Sequence, residues 1–67
     1  MIEVHVNGQQ WLMPPEACLA DVVTKLMSEP RGIAVALDGS VITRTDWVRT
    51  ALHPGARVEV LTAVQGG

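Results

Sequence analysis

Few residues in this sequence have the types and spacing that chemistry needs, and the most informative are the last two, Gly66 and Gly67. A C-terminal glycine presents an unhindered carbonyl, and two glycines in succession let backbone pass where a side chain would not. Taken alone, the dipeptide is equally well a frayed end, because the last residues of domains are commonly poorly ordered. Cys18 is the single thiol. With no partner near it in sequence, it reads as a small packing residue at a helix start rather than a sulfur-relay group. His5 and His53 read as a strand-face residue and a turn residue, lacking the Ser, Cys or carboxylate spacing of a triad or metal site. Glu3, Asp21, Asp38, Asp46 and Glu59 fit capping, turn and surface positions. No nucleophile stands beside a base, so an independent enzyme is the least expected class.

Size and composition narrow the classes. The chain has 67 residues, one small domain spanning 1–67, and buries only about 60% of the surface its unfolded form exposes. With 48% hydrophobic residues it is globular. One cysteine precludes an internal disulfide, and no Cys/His cluster has zinc spacing. Met1-Ile2-Glu3 enters a strand pattern at once, with no basic leader and no long apolar run, so the expected setting is the cytoplasm, away from membranes. The formal net charge is -2, with Lys25, Arg31, Arg44, Arg49 and Arg57 scattered. That distribution, with Phe and Tyr absent, argues against nucleic acid and leaves proteins as the expected partners.

The elements that must position the diglycine follow from periodicity. Ile2, Val4 and Val6 alternate with Glu3 and His5 as a half-buried strand does. Asn7-Gly8 is the strongest short hairpin signal, and a two-residue loop sets Val6 opposite Gln9, Val4 opposite Trp11 and Ile2 opposite Met13. Leu12 then points away from the core. Pro14-Pro15 ends the ladder. Leu19, Val22, Val23, Leu26 and Met27 make one helical stripe, capped at Cys18, with Asp21 and Lys25 suited to the helix dipole. Pro30 and Gly32 stop it. Ile33 to Leu37 reads as a covered strand, Asp38-Gly39 as a turn and Val41-Ile42 as a short return strand. In the stretch from Thr43 to His53, Thr45 is placed to cap a single helical turn carrying Trp47, which plugs the open side of the core. After Pro54-Gly55, Arg57 to Ala63 alternates, with Val58 and Val60 inward.

The order predicts an α+β fold: a mixed sheet of four to five strands with one main helix across one face, and first and last strands parallel in the middle. This is the ubiquitin-like β-grasp layout. Residues 63–67 are then a flexible C-terminal tail, which spans about 17 Å when extended.

Val6-Asn7-Gly8, Leu19-Ala20-Asp21-Val22-Val23, Val35-Ala36-Leu37-Asp38-Gly39, Arg44-Thr45-Asp46-Trp47 and the run from Arg57 through Val64-Gln65-Gly66-Gly67 resemble the ThiS family, the bacterial sulfur carriers of thiamine biosynthesis. The resemblance covers essentially the whole chain. Departures are Cys18 where Thr or Ser is common, Ala56 where an acidic residue often follows the turn glycine, and a bulky Trp11. The resemblance implies that Gly67 is adenylated by an adenylyltransferase of the ubiquitin-activating-like, ThiF type. It further implies conversion to a thiocarboxylate by a sulfur donor derived from cysteine desulfurase, and sulfur transfer to a ThiG-type thiazole synthase. ATP and Mg²⁺ belong to the adenylyltransferase, and the carrier binds no cofactor or metal of its own. Val64, Gln65 and Gly66 would enter partner active sites, and Leu12, Ile42, Arg44 and Leu61 would form a partner surface if the apolar ones face outward rather than packing under the Trp47 loop. Two alternatives remain: a small-subunit carrier of the molybdopterin-synthase type, and a ubiquitin-like module that only binds or is conjugated.

Overall fold

The computed structural model describes residues 1–27 and 31–62. The first hairpin forms as the sequence predicts. Strand β1 (Ile2–Val6) pairs antiparallel with β2 (Gln9–Met13), setting Val6 against Gln9, Val4 against Trp11 and Ile2 against Met13. Asn7 and Gly8 carry φ of 50° and 84°, the left-handed pair that a type I′ turn requires. Val4, Val6 and Met13 are buried while Leu12 is 64% exposed. The two faces of the sheet are thereby fixed from the first strands onward.

Helix α1 (Leu19–Leu26) begins at Cys18, whose backbone N–H donates to Asp21 Oδ2 at 2.9 Å. Asp21 thus satisfies one donor at the helix start as well as complementing the dipole. Leu19, Val22 and Val23 are buried against the sheet. Met27, the last residue of the stripe, packs against the core and is also the C-cap. Its backbone is extended (φ −151°) while its N–H still closes on Val23 O at 3.0 Å.

Strand β3 (Ile33–Leu37) turns through Asp38-Gly39, again with two positive φ values (52° and 89°), into β4 (Ser40–Ile42). Next comes a 3₁₀ helix, Arg44–Arg49, capped by Thr43 and not by Thr45. Thr43 provides the extended backbone, its carbonyl accepts the Asp46 N–H at 2.9 Å and its hydroxyl donates to Asp46 Oδ2 at 3.0 Å. With the cap two residues earlier, Trp47 swings beneath the helix end. It is 6% exposed, and its Nε1 donates to Ile42 O at 3.0 Å. The segment that follows clasps the start of α1, with Leu19 N–H to Thr50 O at 2.8 Å and Leu52 N–H to Ala17 O at 3.2 Å.

Strand β5 (Arg57–Thr62) completes a five-stranded sheet of order β2-β1-β5-β3-β4. It lies parallel to β1 and antiparallel to β3, the central parallel pair predicted for a β-grasp. Val58 and Val60 face α1 in the core. Ala56 is fully buried, a position where an acidic side chain would lack water, so the small residue suits the packing here. Among the described residues no polar side chain is buried.

Candidate functional site

The last described strand is also the central one, and its two faces differ. Val58 and Val60 point into the core; Arg57, Glu59 and Leu61 point to the open face of the sheet. Register extends that face sideways: Leu61 pairs with Ala34, Glu59 with Ala36, and Ala36 with Val41. Leu61 and Val41 are 66% and 74% exposed. Two alanines between them leave a low apolar floor beside the C-terminal end of β5. On the other flank, His5, Asn7, Gly8, Arg57, Glu59 and Leu61 line an open groove of about 590 Å³.

The expected partner-surface residues do not all share this face. Leu12 and Leu61 do, but they lie at opposite ends. Leu12 is level with Glu3 and His5 is level with Arg57, which separates the two leucines by roughly 20 Å along the strands at about 3.3 Å per residue. Ile42 is a correction: it pairs with Val35, so it sits on the helix side, half-buried against the core under Trp47. Arg44 is exposed, with its guanidinium carbon 5.8 Å from the centroid of the Trp47 ring, a cation–π contact that covers the outer side of the indole. The structure therefore assembles Leu61 with Ala34, Ala36 and Val41. These last three were not singled out in the sequence, although the alternation of alanine with Ile33, Val35 and Leu37 was the available signal. Val64, Gln65, Gly66 and Gly67 lie outside the described residues.

Among the described residues no group of three His, Cys, Asp or Glu side chains is placed to hold a metal. No helix there is long and apolar enough to cross a membrane. Cys18 is half-buried at the helix start, where its backbone serves the cap. One polar cluster is organised: Asp38 Oδ1 accepts the Arg57 N–H at 2.9 Å, and Asp38 Oδ2 lies 2.6 Å from His53 Nε2. His53 Nδ1 lies 2.9 Å from the Pro54 carbonyl. Both ring nitrogens face groups that only accept, which suits the doubly protonated imidazolium. The Asp38 hydrogen bond, helped by the Pro54 carbonyl, raises the His53 pKa above its ordinary 6.5. The His53 hydrogen bond and then the Arg57 N–H hold Asp38 below its ordinary 3.8. The cluster ties the β3–β4 turn to the start of β5, at the far end of that strand from Leu61, and is structural.

The described part of β5 thus ends beside an apolar patch of Leu61, Ala34, Ala36 and Val41. The family model for ThiS matches residues 3–67, including the diglycine. The chain belongs to the ThiS family. Its fold is similar to that of the crystal structure of a thiamine biosynthesis protein (ThiS) from Geobacter metallireducens, with a TM-score of 0.83 at 23% identity, covering 98% of this chain and 100% of that one. No curated protein matches the chain. ThiS membership identifies it as a small sulfur carrier protein of the thiamine type. The segment Arg44 to Trp47 has a structural part here: Trp47 fills the core with Arg44 over its ring, and Asp46 ties down Thr43 and Thr50.

Proposed function

We propose that this ThiS-family protein carries sulfur on Gly67 as a thiocarboxylate and delivers it to a ThiG-type thiazole synthase for the thiazole of thiamine, acting in the cytoplasm. A free carboxylate is a poor electrophile, so loading starts with a ThiF-type adenylyltransferase. A Gly67 carboxylate oxygen attacks the α-phosphorus of Mg-ATP, and pyrophosphate leaves. The outer sulfur of a persulfide made by a cysteine desulfurase then attacks the acyl carbon, and AMP leaves. Reduction of the resulting acyl disulfide by a thiol frees the thiocarboxylate, with one oxygen retained on Gly67. The released sulfur is a soft nucleophile, ionised at neutral pH.

The observation that carries this reading is the family match, which runs without a break through the diglycine. The fold supports it: β5 ends beside an apolar patch of Leu61, Ala34, Ala36 and Val41, suited to hold a partner, and five residues, the number from 63 to 67, span at most about 17 Å of chain. The test is intact-mass spectrometry after incubation with the adenylyltransferase, Mg-ATP and a sulfur donor. The expected result is a gain equal to the sulfur-for-oxygen difference, lost when Gly67 is deleted. An unchanged mass under conditions that load a known carrier would sink the proposal.

A further inference from the structure

The parallel pairing of β1 with β5 is short, with only His5–Arg57 and Val6–Val58 in register. Its regular rungs are His5 N–H to Ala56 O at 2.8 Å and Asn7 N–H to Val58 O at 2.9 Å. In a continued parallel ladder the next rung would run from the Val60 N–H to the main-chain carbonyl of Asn7. Asn7, however, has φ of 50° and begins the hairpin turn. The rung is closed by its side chain instead: the Val60 N–H donates to Asn7 Oδ1 at 2.8 Å, across 53 residues of sequence. Beyond this point β5 has no strand neighbour on the β1 side; on the other side it keeps β3 as far as the Ile33–Thr62 pair.

We infer that Asn7 is a positioning residue for the carrier arm, its side-chain amide pinning β5 at Val60 so that the chain leaves the sheet at a fixed place next to Leu61. The assignment rests on the sulfur-carrier reading. Two demands meet at this residue. The turn requires a left-handed backbone, which Asn, Asp and Gly adopt readily, and the rung requires a short side chain ending in an acceptor. Glycine meets the first and fails the second; aspartate meets both. A terminal glycine that must reach a reacting atom inside another protein depends on where its strand is held, since misplacement of about 1 Å costs up to roughly a hundredfold in rate.

The substitutions Asn7→Gly and Asn7→Asp in the full-length chain separate these demands. Asn7→Gly keeps the turn as Gly-Gly. The Val60 amide is expected to exchange roughly fivefold to tenfold faster, the loss of one net hydrogen bond. In adenylation with the cognate adenylyltransferase and Mg-ATP, read as pyrophosphate release, kcat is expected to fall about tenfold while KM for the carrier stays within about twofold, because the docking patch is untouched. Asn7→Asp is expected to restore both Val60 protection and kcat. A normal kcat in Asn7→Gly with accelerated Val60 exchange would overturn the positioning role, as would an Asn7→Asp protein that keeps Val60 protected yet loses kcat. If Asn7→Gly fails to fold, Asn7→Asp decides alone by the same two readings. Failure of the wild-type chain to be adenylated at all would bring down the carrier reading and this role together, an outcome distinct from the other two.

Discussion

Replacing Trp47 by alanine should come close to unfolding this domain, and the size of the effect follows from three observations. The side chain is 6% exposed, and truncating a buried tryptophan costs about 3–5 kcal/mol from lost transfer energy and residual cavity. Its Nε1 donates to Ile42 O at 3.0 Å, which accounts for about 1 kcal/mol of that loss. A chain of 67 residues has about 3–10 kcal/mol of total stability at roughly 0.05–0.15 kcal/mol per residue. The substitution therefore removes about a third or more of what holds the fold, and all of it at the lower end of that range. Trp47→Phe keeps most of the apolar volume and loses the hydrogen bond, so its expected cost is about 1–2 kcal/mol, or roughly 4–15 °C in Tm. Urea unfolding followed by far-ultraviolet circular dichroism measures both, and avoids fluorescence, where Trp11 remains as a second emitter. A Trp47→Ala cost below about 1 kcal/mol with an unchanged m value would refute the reasoning, because it would mean that the indole fills no core space.

Other outcomes follow from the same structure. Leu61→Lys places a charge on the apolar patch without touching the core, so stability should move by less than about 0.5 kcal/mol, while KM for the carrier in adenylation rises about tenfold; an unchanged KM would remove Leu61 from the docking face. The His53–Asp38 pair predicts a pH-dependent term. With the His53 pKa raised, its contribution is complete below 6.5 and is lost as pH rises through the higher folded value. With the Asp38 pKa lowered, its contribution is complete above 3.8 and is lost as pH falls through the lower folded value. The pair thus stabilises most between 3.8 and 6.5. The Tm difference between wild type and His53→Gln should shrink from about pH 5 to about pH 8, and a constant difference over that range would show that the imidazolium is not the stabilising form.

Much of the fold was legible because its signals are local. Asn7-Gly8 with alternating valines fixed the first hairpin to the residue, since a two-residue loop admits one register. The helix stripe and the run from Ile33 to Leu37 were equally direct. The structure departs from the sequence pattern where two local signals compete. Thr43 and Thr45 are each acceptable caps, and the choice was made by Trp47, which reaches the core from a helix begun at Thr43. Ile42 follows Val41 with no pattern to say which faces outward. Pairing with Val35 puts Ile42 inside, and the expected partner surface loses a member. The Asp38–His53 contact and the Asn7–Val60 hydrogen bond join residues 15 and 53 apart, and each residue already had a sufficient local explanation as a turn former. Sequence offers no reason to assign it a second role.

On the proposed sulfur-carrier reading, the strand order gives a physical reason for the reactive end to follow β5 and not an edge strand. Pulling a C-terminal segment into another protein's active site loads the strand that precedes it. An edge strand with one neighbour can peel away one rung at a time; β5 is held by β1 over Arg57–Val58 and by β3 as far as Thr62. Peeling it would also expose Val58 and Val60, at about 1.5–3 kcal/mol for each side chain, so the load meets the core as well as the ladder. The weak stretch is Val60–Thr62, where β3 alone provides a ladder and Asn7 Oδ1 supplies the one rung on the other side. A strand anchored in this way holds Thr62, its last residue, at a constant place against Ile33 of β3.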